Sequence, residues 1–180
     1  MRLPFMKKGI SLIEILVALV ILGILVPAIG GVFVNVYRDW GRQRDFIQTL
    51  ENARWALEFM SSEIRDSKSS TVTDNAEGTM PEHSLLTFND PNPSSRDIYY
   101  WKGATDNILY RGEGSTFATA NTNRKELASG IVSATFTVEL DEGGDDSLVA
   151  IELIFRPYPS QPEGPGNRNY NLVTRVRPRN

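Results

Sequence analysis

From Ile15 to Val34 the chain reads ILVALVILGILVPAIGGVFV, twenty residues without one charge. Few folded destinations suit such a run. As a helix rising ~1.5 Å per residue it covers about 30 Å, the thickness of a bilayer's hydrocarbon core. A secretory signal carries a shorter apolar region, about 7 to 15 residues, closed by small residues at a cleavage site. No A-x-A exit follows here, so the run reads as a retained single-pass membrane anchor. Lys7 and Lys8 stand just before it, which places the N-terminus in the cytoplasm and the downstream chain on the outer side.

Composition then narrows the chemistry. The 180 residues include no cysteine and one histidine, His83, which removes thiolate sites, disulfide frameworks and imidazole clusters. Net charge is −3, yet residues 1 to 9 carry Arg2, Lys7 and Lys8 with no acid, leaving −6 for the remainder. Downstream, lysine and arginine are scattered among acids instead of forming the basic stripe that phosphate neutralisation requires, so nucleic acid is not an expected partner. Asp141 to Asp146 offers four carboxylates in six residues, off the spacing of a calcium-binding EF-hand loop. Aspartate and glycine are also ordinary turn formers; the segment reads first as a hairpin turn, with calcium left open. Gly112-Glu113-Gly114-Ser115-Thr116 lacks the GK[ST] of a phosphate loop and shows no following helix pattern. With no G-x-S-x-G elbow and one loop histidine, neither an enzyme nor a cofactor is expected.

Glu14 is the residue a plain anchor leaves unexplained, because it enters the apolar run with only Lys8, six residues back, as an ionic partner. An acid in a span costs about 2.5 to 3.5 kcal/mol at the bilayer centre and less near an interface, so such residues usually have a partner. Cutting the chain between Gly9 and Ile10 would create a cationic α-amine with a reference pKa near 7.7 to 8. In staggered parallel helices the amine of one chain can reach the carboxylate of the next. At ~4 Å and an effective dielectric near 20 that pair is worth on the order of 4 kcal/mol before desolvation.

Lys7-Lys8-Gly9 followed by Ile10-Ser11-Leu12-Ile13-Glu14-Ile15-Leu16-Val17-Ala18-Leu19 resembles the class III leader of type IV prepilins and type II secretion pseudopilins. The resemblance covers about 15 residues and requires a basic pair, a glycine, an acid and an apolar helix to coincide. It implies cleavage after Gly9 by a prepilin peptidase, N-methylation of Ile10, and subunit docking through Glu14. The partners implied are that peptidase, other pilin or pseudopilin subunits and the bacterial inner membrane, with incorporation into a periplasmic or extracellular filament. Ile10 departs from the Phe or Met usual after the cut. Pro27 cannot donate to the carbonyl of Gly23, which makes Gly23 to Pro27 a helix weak point. It is either a simple kink or a segment that extends when the subunit leaves the bilayer.

Beyond the run, apolar Val36, Trp40, Ile47, Leu50, Leu57, Met60 and Ile64 recur at helical spacing, a stripe that should pack on a sheet. Phe46, Trp55 and Phe59 fall beside it. Helix over residues 10 to 66 would extend roughly 85 Å. Residues 71 to 83 read as loop, and strands are expected at 84–88, 97–102, 107–111, 131–140, 147–155 and 170–177. Val132, Ala134, Phe136, Val138 and Leu140 alternate with polar residues, and the fourth and fifth strands should form a hairpin. The expected class is α+β: a long helix packed on an antiparallel sheet, lollipop-like, as the resemblance also implies. Its parts would be a leader (1–9), a transmembrane and assembly half-helix (10–36), an amphipathic half-helix (37–70) and a sheet head (71–180). The stalk from Arg54 to Arg65 and the ending from Val173 to Arg177 look like minor pilins of the W type or J-type pseudopilins. The alternative is a single-pass anchored binding module that does not polymerise.

Overall fold

The computed structural model describes residues 11–67, 73–75, 83–89, 96–140, 147–164 and 167–179. Helix α1 runs from Leu12 to Asp66 and includes Pro27. Among the described residues, eight strands and a short helix follow: β1 (Thr73–Asn75), β2 (Leu85–Asn89), β3 (Asp97–Lys102), β4 (Ile108–Gly114), α2 (Phe117–Thr122), β5 (Lys125–Ser129), β6 (Ile131–Leu140), β7 (Ser147–Phe155) and β8 (Tyr170–Val176). All strand pairs are antiparallel. The fold is therefore α+β, a long N-terminal helix with antiparallel sheets. Contacts divide the chain into two units, Met1–Gln43 and Arg44–Asn180.

The first unit is the apolar part of α1. Its large side chains from Leu12 to Val34 are exposed, and it contains the helix segment long and apolar enough to cross a membrane. Tyr37 and Trp40 meet edge to face at 6.0 Å.

In the second unit, the rest of α1 buries Ala53, Ala56, Leu57, Met60 and Ile64 among residues of both sheets. Leu50, Leu57, Met60 and Ile64 hold the expected stripe, but Ile47 is 51% exposed and Phe46 packs in its stead against Phe155 and Tyr170. The centre of the buried face is made by two alanines. Small side chains there let the helix backbone come close to the strands, a contribution that a search for large apolar residues overlooks.

One sheet was expected and two are found, ordered β1-β2-β3-β4-β5 and β6-β7-β8. The division falls at Gly130, whose φ of +79° turns the chain between β5 and β6. A side chain at this position would press on Thr49 of α1, so glycine answers both the backbone and the packing. A bulge between Ile131 and Ser133 then shifts the phase of β6. As a result Ile131, Ala134 and Phe136 are buried, and Val132, expected inward, is only half-buried.

The five-stranded sheet is covered on both faces. Leu86, Phe88, Ile98, Tyr100 and Leu109 face the main core, while Leu85, Tyr99, Trp101 and Tyr110 form a second cluster with Ala120 and Phe117 of α2. That helix follows the glycine-rich segment where none was expected. Thr116 caps it, accepting from the Thr119 amide, and the Thr119 hydroxyl accepts from the Thr116 amide in return. Gly112 and Gly114 lie directly beneath it: a Cβ on Gly112 would strike the Ala120 carbonyl. These glycines admit the close approach of the helix. Strand β1 and strand β5 were likewise not foreseen. The proline-rich segment after β7 is pinned by buried Asn167, whose amide group donates to the carbonyls of Tyr158 (3.0 Å) and Pro162 (3.1 Å) and accepts from the Tyr158 amide (3.1 Å).

Candidate functional site

Of the residues singled out at the N-terminus, Lys7, Lys8, Gly9 and Ile10 lie outside the described residues, as does the segment Asp141 to Asp146. Glu14 is described, in the first turn of α1. Its Oε2 accepts a hydrogen bond from the Ser11 backbone N–H at 3.0 Å, while the Ser11 carbonyl accepts from the Glu14 and Ile15 amides at 3.0 and 3.3 Å. This is the acidic half of a capping box, for which Ser11-Leu12-Ile13-Glu14 carries the S-x-x-E signature. The bond is to a main-chain amide and not to a charge. A carboxylate in this place also meets the positive end of the helix dipole, worth ~0.3 to 1 kcal/mol. Gly23 and Pro27 sit inside α1, with open space where a Gly23 side chain would stand.

In the second unit a dense polar group joins α1 to β3 and β4. Arg111 of β4 grips the Glu63 carboxylate of α1 with two bonds from Nε, at 2.9 and 3.2 Å, and one from Nη2 at 2.7 Å. Its Nη1 donates to Glu113, and the Tyr100 hydroxyl donates to Glu63. The guanidinium also lies over the Phe59 ring, 5.9 Å from its centroid. Arg111 and Glu63 are only 12% and 22% exposed. Burial opposes the charge on Arg111, but its bonds to Glu63 and Glu113 outweigh burial and hold its pKa above the ordinary value. Burial first, and then the Glu63 charge and hydrogen bond, push the Tyr100 hydroxyl above its usual range. Each charged group is answered by another protein group, so the arrangement clamps helix to sheet and offers no free acid, base or nucleophile. The Arg111–Glu63 contact joins residues 48 positions apart, so no local spacing marks it in the sequence.

His83 has a partner that loop placement did not reveal. Its Nδ1 lies 2.6 Å from Asp74 Oδ2, which also accepts from the Val138 amide at 3.0 Å, and its carbonyl accepts from the Phe136 amide at 2.8 Å. The pair fastens β1 and the start of β2 onto β6. Among the described residues, no three His, Asp or Glu side chains gather as a metal-holding group.

Comparison with known proteins bears on the N-terminus alone. Residues 5–26 match the family model described as the prokaryotic N-terminal methylation motif. The chain carries a type IV pilin-like signal. No curated protein and no solved structure matches the chain. The matched stretch takes in Gly9, Ile10, Glu14, Gly23 and the greater part of the apolar run.

Proposed function

We propose that the protein is a non-enzymatic minor subunit of a type IV pilus or a type II secretion pseudopilus. Prepilin peptidase would cut after Gly9, Ile10 would be N-methylated, and the subunit would wait in the inner membrane with residues 71 to 180 on the periplasmic side. Residues 10 to 36 serve as the transmembrane and assembly half of the helix, and residues 37 to 70 as its amphipathic half. In assembly Glu14 neutralises the α-amine of a neighbouring subunit in apolar surroundings. The observation that carries this reading is a coincidence: the methylation motif at residues 5–26 overlies an acid in the first turn of a helix that is long and apolar enough to cross a membrane. The J-type and W-type assignments rest on the stalk and the Val173 to Arg177 ending.

Intact mass spectrometry of the protein from its native host tests the processing. The expected product begins at Ile10 and is heavier by one methyl group; a chain that keeps its first nine residues refutes the reading. Exchanging Glu14→Ala should leave membrane insertion unchanged while reducing recovery in sheared filaments or in cross-linked subunit complexes at least tenfold. Unchanged recovery would reject the assembly role.

A further inference from the structure

Sheet edges expose main-chain donors and acceptors, and chains usually close them. This one closes the edge of β6: the His83 carbonyl and the Asp74 carboxylate take up the amides of Phe136 and Val138. Strand β8 is treated differently. It pairs with β7 through all seven residues, Tyr170 to Val176, and among the described residues no backbone group of β8 bonds to anything on its other side. Val173, at its middle, is 59% exposed. The edge does not face open solvent alone. Between it and α1 runs a groove of about 540 Å³, bordered by Val173 and Thr174 on the strand and by Arg54, Leu57, Glu58 and Arg65 on the helix.

From these observations we infer that β8 accepts an extended acidic segment of a partner protein, added as a fourth strand to the β6-β7-β8 sheet and seated in the groove along α1. Main-chain hydrogen bonds supply attachment in such additions, and flanking side chains select the sequence. The spacing fits. Arg54 and Arg65 are eleven steps apart on α1, about 16 Å at ~1.5 Å per residue, which is the length of about five strand residues. Charge selects the occupant: two helix arginines border the groove against the one acid, Glu58, and Arg175 lies on the strand itself. A second copy of β8 is the wrong partner, because Tyr170 to Val176 has Arg175 and no acid and is flanked by Arg168, Arg177 and Arg179. Antiparallel self-pairing would bring arginines together. The inference concerns the β-sheet unit and stands apart from the filament reading.

The test uses the full chain in nonionic detergent with a fluorescent, end-blocked heptapeptide, Glu-Val-Thr-Val-Glu-Thr-Glu, and a counterpart with lysine at every glutamate. The acidic peptide is expected to bind at least tenfold more tightly by anisotropy and to slow amide hydrogen exchange across residues 170 to 176. A variant carrying Arg54→Gln and Arg65→Gln, at exposed positions, should keep its melting temperature and lose three- to tenfold of that affinity. Equal binding of the two peptides, absent binding, unchanged exchange in β8, or dimerisation of the chain through β8 in place of peptide binding would each overturn the inference.

Discussion

Replacing Glu63→Ala removes the carboxylate that holds Arg111 and Tyr100 against α1. Three N–H to oxygen contacts from Arg111 and one hydroxyl bond from Tyr100 disappear together, at side chains largely withdrawn from water. Removing one member of a buried pair costs about 3 to 5 kcal/mol, because the survivor keeps its desolvation without its counter-charge. Arg111 retains Glu113, and Glu63 has some exposure, so the low end applies, ~3 kcal/mol. For a unit the size of Arg44–Asn180 that corresponds to a fall of about 10 to 15 °C in melting temperature, read by near-ultraviolet circular dichroism of the full chain in detergent. The pair is a clamp and not a large net source of stability, which a double exchange can reveal. Glu63→Leu with Arg111→Met should recover at least ~1 kcal/mol relative to the sum of the two single variants, since both charges then leave the site together. A single-variant loss below ~1 kcal/mol, or strict additivity in the double, would refute the reasoning.

Further consequences concern pH and packing. The Tyr100 hydroxyl is held neutral in the folded state above its ordinary value of 10.0, so its contribution is complete below pH 10 and is lost as pH rises toward the folded-state pKa. Stability should fall by up to ~1.4 kcal/mol per pH unit above about pH 10, and Tyr100→Phe should flatten that slope in alkaline denaturation curves. Gly112→Ala would drive a methyl group into the Ala120 carbonyl and should cost about 1 to 3 kcal/mol with weakened near-ultraviolet signal from Trp101, which shares the cluster under α2. Met60→Ala, at a fully buried place on α1, should cost about 2 to 5 kcal/mol in chemical denaturation, whereas Trp55→Ala, at a side chain 54% exposed, should cost much less.

The periodic elements were legible because their signals are local. Strands β3, β6 and β7 begin and end where alternation and turn residues place them, and the two hairpins pair as read. What escaped was set by contacts between distant residues. Strand β1 is three residues long and is held by pairing with β2 and by the Asp74 carboxylate, neither of which leaves a periodic mark in Thr73-Asp74-Asn75. Helix α2 has six residues, too few for a stripe, although Thr116 and Thr119 announce its cap and the two glycines before it announce a close approach. The second sheet follows from one positive φ at Gly130, a glycine that without tertiary context is one among 14.

At the N-terminus the difficulty was one of magnitude. Glu14 has no nearby opposite charge in the sequence, and the structure gives it the Ser11 amide. An N-terminal cap of this kind is worth ~1 kcal/mol, with the helix dipole adding a few tenths to one more. An amine from a neighbouring chain, at ~4 Å and an effective dielectric near 20, offers on the order of 4 kcal/mol before desolvation. Before desolvation the capping bond is the weaker of the two, so it does not by itself remove the drive toward a second chain. It lowers the cost of carrying an acid at the start of an apolar helix until that chain arrives. Because Ser11→Pro removes the N–H while keeping the carboxylate, the variant should lower the amount of subunit inserted in membranes before assembly, with Glu14-dependent cross-linking retained among the molecules that do insert. A loss of cross-linking per inserted molecule as large as that of Glu14→Ala would show that the cap and the assembly contact are one interaction.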